Sequence, residues 1–113
     1  MSKHDDAVRV RHMLEAAGKA VTFTRRRSRK DLDGDEQFQF ALVHLLEIVG
    51  EAAKGVSGAY RDRTPEIPWK DVARTRDRLI HGYFDIDLDI VWDIATVDLP
   101  KLIPQLKRLL KKP

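Results

Sequence analysis

The sequence predicts an all-α fold, an up-and-down helical bundle of about five helices in a single domain spanning residues 1–113. Three observations predict it. Apolar residues recur three and four positions apart from one end of the chain to the other, the spacing of a helix with one buried face. No stretch of period-two alternation runs longer than a few residues. A chain of 113 residues, 42% hydrophobic and 35% charged, is long enough for one core and too short for two.

The first helix is expected from about Asp5 to Thr24, with Ala7, Val10, Leu14, Ala17 and Val21 on one face. Arg25, Arg26, Arg27, Arg29 and Lys30 close it. Cations suit a helix C-terminus, so the structural reading of this cluster is a solvated helix end, and the functional one is a phosphate-contacting patch. Asp31, Asp33, Gly34 and Asp35 supply turn and cap chemistry before a second helix, marked by Phe38, Leu42, Leu45, Val49, Ala52 and Val56 and reaching about Ser57. Gly50, Ala52 and Ala53 on that helix leave room for another backbone to pack tightly. Tyr60 to Pro68 reads as a connector, and Pro68 sits where a first-turn proline belongs at the start of a third helix over Trp69 to Tyr83. Asp87 caps a fourth helix along Leu88, Val91, Trp92, Ala95 and Leu99. The same stripe continues into Leu102, Leu106 and Leu109, but Pro100 predicts a break or kink at 98–100 and a fifth helix starting there, with Pro104 near its first turn.

Composition narrows the chemistry. With no cysteine there are no thiolate zinc sites, iron–sulfur clusters or cysteine nucleophiles. No apolar run approaches bilayer length and Met1 to Asp6 lacks the apolar segment of a signal peptide, so the expectation is a cytoplasmic protein with no membrane partner. The 21 basic and 18 acidic residues leave a net charge of +3, too small to indicate a nucleic-acid partner by itself. The small size makes association with a second copy an expectation.

The informative segment is the third helix. At 100° per residue its apolar stripe is Trp69, Val72, Ala73, Leu79 and Ile80, and Arg76 falls at the centre of that stripe. A buried guanidinium is costly unless it meets an acid or reaches water, so Arg76 is either a snorkelling or paired structural residue or one held for use. His81 is expected in the last turn before Gly82, where a helix C-terminus favours the imidazolium, and Asp77, four residues earlier, would share its face and orient the ring. An imidazole, a carboxylate and an arginine suffice for phosphodiester cleavage in RNA with no cofactor. The 2′-hydroxyl attacks its own phosphate while one group takes a proton, another supplies one, and the cation stabilises the transition state. Arg76 and His81 stand about 140° apart on a straight helix. The site then requires either a helix that loosens at Gly82 or two copies facing each other across a two-fold axis, through the third-helix face and the small-residue half of the second helix. His44, Glu47 and Glu51 could be drawn as metal ligands, but at helical spacing they read as a polar face and no metal is assigned. His4 and His12, near an end expected to fray, are given no chemistry. The two tryptophans and Phe84 read as core or dimer anchors rather than base-stacking platforms.

The run Arg76-Asp77-Arg78-Leu79-Ile80-His81-Gly82-Tyr83 resembles the R-(polar)-x3-H-x-Y motif of the HepT-like toxins in the HEPN superfamily. Leu46 to Lys54, Ile67 to Lys70, Tyr83 to Trp92 and Asp98 to Pro100 resemble that family's other blocks in the same order, so the likeness covers nearly the whole chain. The resemblance implies a HEPN-like helical bundle that forms a homodimer, with the two motif helices lining a shared cleft. It implies a metal-independent endoribonuclease, often acting on tRNA, that serves as a toxin and is neutralised by an adjacently encoded minimal nucleotidyltransferase (MNT) antitoxin. In some pairs the antitoxin transfers AMP to the motif tyrosine, here Tyr83. Arg76 and His81 carry over as catalytic and Asp77 as the polar second position. Arg74 and Arg78, seven and three residues before His81, are further candidates for RNA contact. The competing functional reading is a binding module that is mainly the partner and AMP acceptor of the nucleotidyltransferase, with little nuclease activity. A third is a structural helical dimer.

Overall fold

The computed structural model describes residues 3–81 and 85–111. Helix α1 (Lys3–Thr24) buries Val10, Met13, Ala17 and Ala20 along one side, and α3 (Glu36–Lys54) answers with Leu42, Leu46, Val49 and Ala53. Both stripes follow the three-and-four spacing of the sequence. The two helices run antiparallel because the start of α1 is tied to the end of α3. Asp6 is buried there, its Oδ1 accepting the Ser57 N–H at 2.8 Å and its Oδ2 the Ser57 hydroxyl at 2.7 Å. A buried carboxylate persists only when hydrogen-bonded in this way.

The second helix stops at Lys54, short of the expected Ser57, and part of the expected connector is helical. Ser57 caps α4 (Gly58–Arg63) by accepting the Tyr60 N–H on its hydroxyl. Arg61 folds back from α4 and donates from Nη2 to the carbonyls of Ala53 at 2.7 Å and Lys54 at 3.2 Å, satisfying groups that a helix end leaves open. The connector is anchored by Trp69, whose Nε1 donates to the carbonyl and hydroxyl of Thr64 and whose ring meets Tyr60 edge-on at 6.2 Å. Trp69 is therefore a core anchor.

Between α1 and α3, Ser28 and Asp31 form a reciprocal capping box at the start of α2 (Arg29–Asp33). Two members of the basic cluster have structural duties here. Arg27 lies 4.3 Å over the Phe38 ring and 3.6 Å from Asp35, while Arg29 reaches both Asp33 and Asp89 at 2.8 Å.

The expected third helix is the main correction. It is divided into α5 (Trp69–Ala73) and α6 (Thr75–Leu79), then turns extended at β1 (Ile80–His81), which pairs antiparallel with β2 (Asp85–Ile86). Arg74, at φ −97° and ψ 14°, makes the break. The buried residues are Trp69, Ala73, Thr75 and Leu79, and the two-residue step from Ala73 to Thr75 resets the helix phase. Arg76 therefore does not sit on the buried face. The break is accommodated by Thr75, whose hydroxyl donates to the Val72 carbonyl at 2.6 Å.

Gly50 fixes where this happens. A Cβ at Gly50 would lie 3.3 Å from the Thr75 Cβ and 3.4 Å from the Val72 carbonyl oxygen, so the small residues of α3 do admit a close backbone. They admit it within the protomer. Gly50, Ala52 and Ala53 are all buried, so the small residues themselves are used inside the protomer.

The last helix starts where expected, at Leu99, but the chain reaches it without leaving helical conformation. α7 (Leu88–Asp93), capped by Asp87 Oδ1 on the Ile90 N–H, continues through a π-helical turn (Ile94–Asp98) into α8 (Leu99–Lys111). The wider turn closes with the Leu99 N–H on the Ile94 carbonyl and absorbs the donor missing at Pro100. Pro104 lies inside α8. The rod leads from Trp92, edge-on to Phe38 at 6.5 Å, to Gln105, whose Nε2 donates to the Glu66 carbonyl. The all-α class holds, with the helices divided more finely than the sequence suggests. Among the described residues, no helix is long and apolar enough to cross a membrane.

Replacing Gly50 with valine is expected to lower stability by about 1–3 kcal/mol, the usual cost of overpacking a filled contact. An unchanged urea midpoint would show that the turn at 72–75 is free to move away from α3.

Candidate functional site

The segment 74–81 presents its charged residues outward because its two buried positions, Thr75 and Leu79, are one helical turn apart. Arg74, Arg76, Asp77 and Arg78 are all exposed, and so is His81. Arg76 carries a side chain 62% exposed and an Nε 3.3 Å from Glu47 Oε2 on α3. It is a surface cation resting against an acid, neither buried nor snorkelling. Arg78 is turned the other way, with Nη1 3.5 Å from Asp98 Oδ2 at the end of the π-helical turn.

His81 is not in a helical last turn. The helix ends at Leu79, so Asp77 and His81 do not share a helix face and the expected orientation of the ring by Asp77 loses its basis. The residue placed across from His81 is Asp85, its partner in the antiparallel register. Directly opposed residues in such a pair project to the same side with Cβ atoms about 4.5–5.5 Å apart. The pairing is secured beyond the strands, where the Asp87 N–H donates to the Leu79 carbonyl at 2.8 Å while the Asp87 side chain caps α7. One aspartate thus joins the end of the motif helix to the start of the last rod. Tyr83 lies outside the described residues.

Two residues at the site were missed by sequence reasoning. Glu47 was assigned to a polar face, and only the tertiary packing of α6 on α3 brings it to Arg76. Asp85 carries no local signal of its own, and only the strand register gives it a partner. Two depressions flank the motif. The larger, about 700 Å³, is walled by Val72, Thr75, Arg78, Asp98 and Leu102. The smaller, about 510 Å³, lies between α1 and α3 and includes Glu47. Among the described residues, no three His, Asp or Glu side chains come together as metal ligands.

Fold and site define an all-α domain that displays an arginine and a histidine on either side of a helix-to-strand junction, each beside an acid. Residues 13–109 match the family described as Ribonuclease HepT-like, and the chain belongs to that family. It is 40% identical over 99 residues to "Probable ribonuclease HepT" of Thermococcus cleftensis, covering 88% of this chain and 90% of that one. It is 34% identical over 101 residues to "Putative RNase TTE0752" of Caldanaerobacter subterraneus subsp. tengcongensis (89% and 90% covered). A further relative, "Putative RNase MJ1380" of Methanocaldococcus jannaschii, is 33% identical over 102 residues (90% and 94% covered). No solved structure matches the chain significantly.

Because Arg76 and His81 are exposed, replacing either with alanine is expected to shift folding stability by no more than about 0.5 kcal/mol, whereas Leu79→Ala, fully buried one turn from Thr75, should cost about 2–5 kcal/mol. Thermal unfolding of the three variants checks this. A large loss from the His81 variant would assign it a structural role.

Proposed function

We propose that this protein is a metal-independent endoribonuclease of the toxin type, acting on RNA and foremost on tRNA, with Arg76 and His81 as its reactive pair. The observation that carries the reading is that the chain belongs to the HepT-like family and its motif arginine and histidine both stand in solvent at one junction, where a polynucleotide can reach them. In the reaction the ribose 2′-oxygen loses its proton to a base and bonds to the adjacent phosphorus. The bond from phosphorus to the 5′-oxygen breaks, and an acid protonates that leaving oxygen. The products are a 2′,3′-cyclic phosphate and a 5′-hydroxyl end. His81 serves as one of the two proton-transfer groups, and Asp85, across the strand pair, orients its ring in place of Asp77. Arg76 neutralises the phosphate oxygens through its planar fork.

A second proton-transfer group is needed, and His81 of a second copy supplies it if two protomers face each other across a two-fold axis. The homodimer is part of the proposal for this chemical reason. The earlier reason, that a straight helix holds Arg76 and His81 apart, no longer applies once the helix ends at Leu79.

The partner in this reading is an MNT-type nucleotidyltransferase antitoxin that transfers AMP to Tyr83, two residues past His81. A phosphate placed beside the motif would compete for Arg76 and repel incoming RNA.

His81→Ala and Arg76→Ala are each expected to slow cleavage of total tRNA in the presence of EDTA by about a hundredfold or more, the scale of one acid–base group or one transition-state cation. Cleavage at an unaltered rate by the His81 variant would exclude the mechanism. Incubation with the nucleotidyltransferase and ATP should modify the native chain and leave Tyr83→Phe unmodified. Modification of that variant would move the acceptor elsewhere.

A further inference from the structure

The smaller depression has walls unlike those of the motif face. From α1 it receives Arg9 and His12, one turn apart, and from α3 it receives His44, Glu47, Ile48 and Glu51, which three- and four-residue spacing places on one side of the helix. The histidine on α1 is well inside a helix that begins at Lys3, not at a frayed end. Arg9 is held in place, since its guanidinium carbon lies 2.6 Å from where a Cβ at Gly55 would stand. Glu47 is both a wall of the depression and the acid beside Arg76, so the depression opens next to the motif cation.

We propose that this depression binds a nucleobase bearing an exocyclic amino group, from the nucleotide adjacent to the phosphate at Arg76. The proposal rests on the ribonuclease reading for its substrate and adds the element that reads sequence. The α3 wall carries two carboxylates, Glu47 against Arg76 and Glu51 3.6 Å from Lys54, with Arg9 on the α1 wall. This mixed set suits a base edge, because a carboxylate accepts hydrogen bonds from the exocyclic amino groups of guanine, adenine and cytosine where uracil presents carbonyl oxygens. Two exposed imidazoles offer flat surfaces for stacking, the way proteins hold unpaired RNA bases, and Ile48 adds an apolar contact. A space of about 510 Å³ is at the small end for a ligand pocket and fits one base rather than a duplex. Division of labour follows, with phosphate at the motif arginine and the base edge at the carboxylates of α3.

The test has a cleavage arm and a binding arm. In the first, an RNA randomised around one position is cut by the native chain and by Glu51→Gln and His44→Ala, and the new ends are sequenced. The expected result is an amino-base preference over uracil of about tenfold, within the range of one good base-edge contact, which collapses toward unity in Glu51→Gln, while His44→Ala slows cleavage beside every base alike. In the second, dinucleotides with a 2′-deoxy sugar before the phosphate, carrying guanine or uracil, are titrated into the native chain and the imidazole NMR signals of His12 and His44 are followed. The guanine compound should move both signals and bind more tightly than the uracil compound. Unmoved signals, or equal affinity for the two, would overturn the pocket. Base-selective binding without any cleavage would overturn the ribonuclease reading and keep the pocket, whereas cleavage with a preference untouched by Glu51→Gln would do the reverse.

Discussion

The placement of the motif depends on the approach of the turn at 72–75 to Gly50. Without a side chain at that position, α3 lets the Thr75 Cβ come to 3.3 Å of where a Cβ would be, and Thr75 is buried as a result. Burying a hydroxyl requires a partner, which Thr75 finds in the Val72 carbonyl. Thr75 and Leu79 then face the core together, and the residues between them have no direction but outward. The Leu79 carbonyl, at the end of α6, is taken by the Asp87 N–H, which draws the chain into the β1–β2 pair and starts α7. One close contact thus sets the phase of α6, the exposure of Arg76 and the position of His81.

Much of the architecture was legible because it follows from periodicity. Val10, Ala17 and their neighbours on α1, Leu42, Val49 and theirs on α3, and Leu102, Leu106 and Leu109 on α8 are buried at the spacing the sequence displays. Asp87 was legible as a cap because a short acceptor before an apolar stripe has few other uses. The division of the third helix was not. A stripe through Trp69, Val72, Ala73, Leu79 and Ile80 forms a plausible continuous face, and it assigns Arg76 to the core only if Thr75 is taken as a solvent residue. The buried set uses Thr75 instead, and threonine conceals its suitability because a hydroxyl counts as polar until its backbone acceptor is known. The signal that was available is the Ala73-to-Thr75 step, too short for one helix face. Pro100 marked where α8 begins but not how the chain reaches it. A missing donor ends a regular α-helix, but a π-helical turn carries the chain past it, and nothing in the local sequence distinguishes the two outcomes.

For the site, residue types were legible and their partners were not. The motif identifies Arg76 and His81 wherever they point, since it rests on identity and spacing. Glu47 and Asp85 are supplied by α3 and by the strand register, 29 and 4 residues away from their respective partners. The helical pairing of Asp77 with His81 fails for a simple reason. The i and i+4 relation has meaning only inside a helix, and α6 ends at Leu79.

The electrostatics of the motif face explain how a chain of net charge only +3 can still present usable cations. Its arginines are parked on nearby acids, Arg76 on Glu47 and Arg78 on Asp98, at 3.3 and 3.5 Å and largely in solvent. Exposed pairs of this kind contribute between nothing and about 1 kcal/mol, because water and salt screen them and the side chains lose freedom in forming them. In the proposed ribonuclease reading a phosphate would offer the same guanidinium two oxygens and a fuller charge, and the pair would hold the arginine ready for that exchange at little energetic cost. Such an arrangement also discourages indiscriminate binding. Arg76 and Arg78 each rest against an acid until a ligand reaches them with better geometry, so in that reading a polyanion would gain most at the one junction where Arg76 and His81 stand close in sequence.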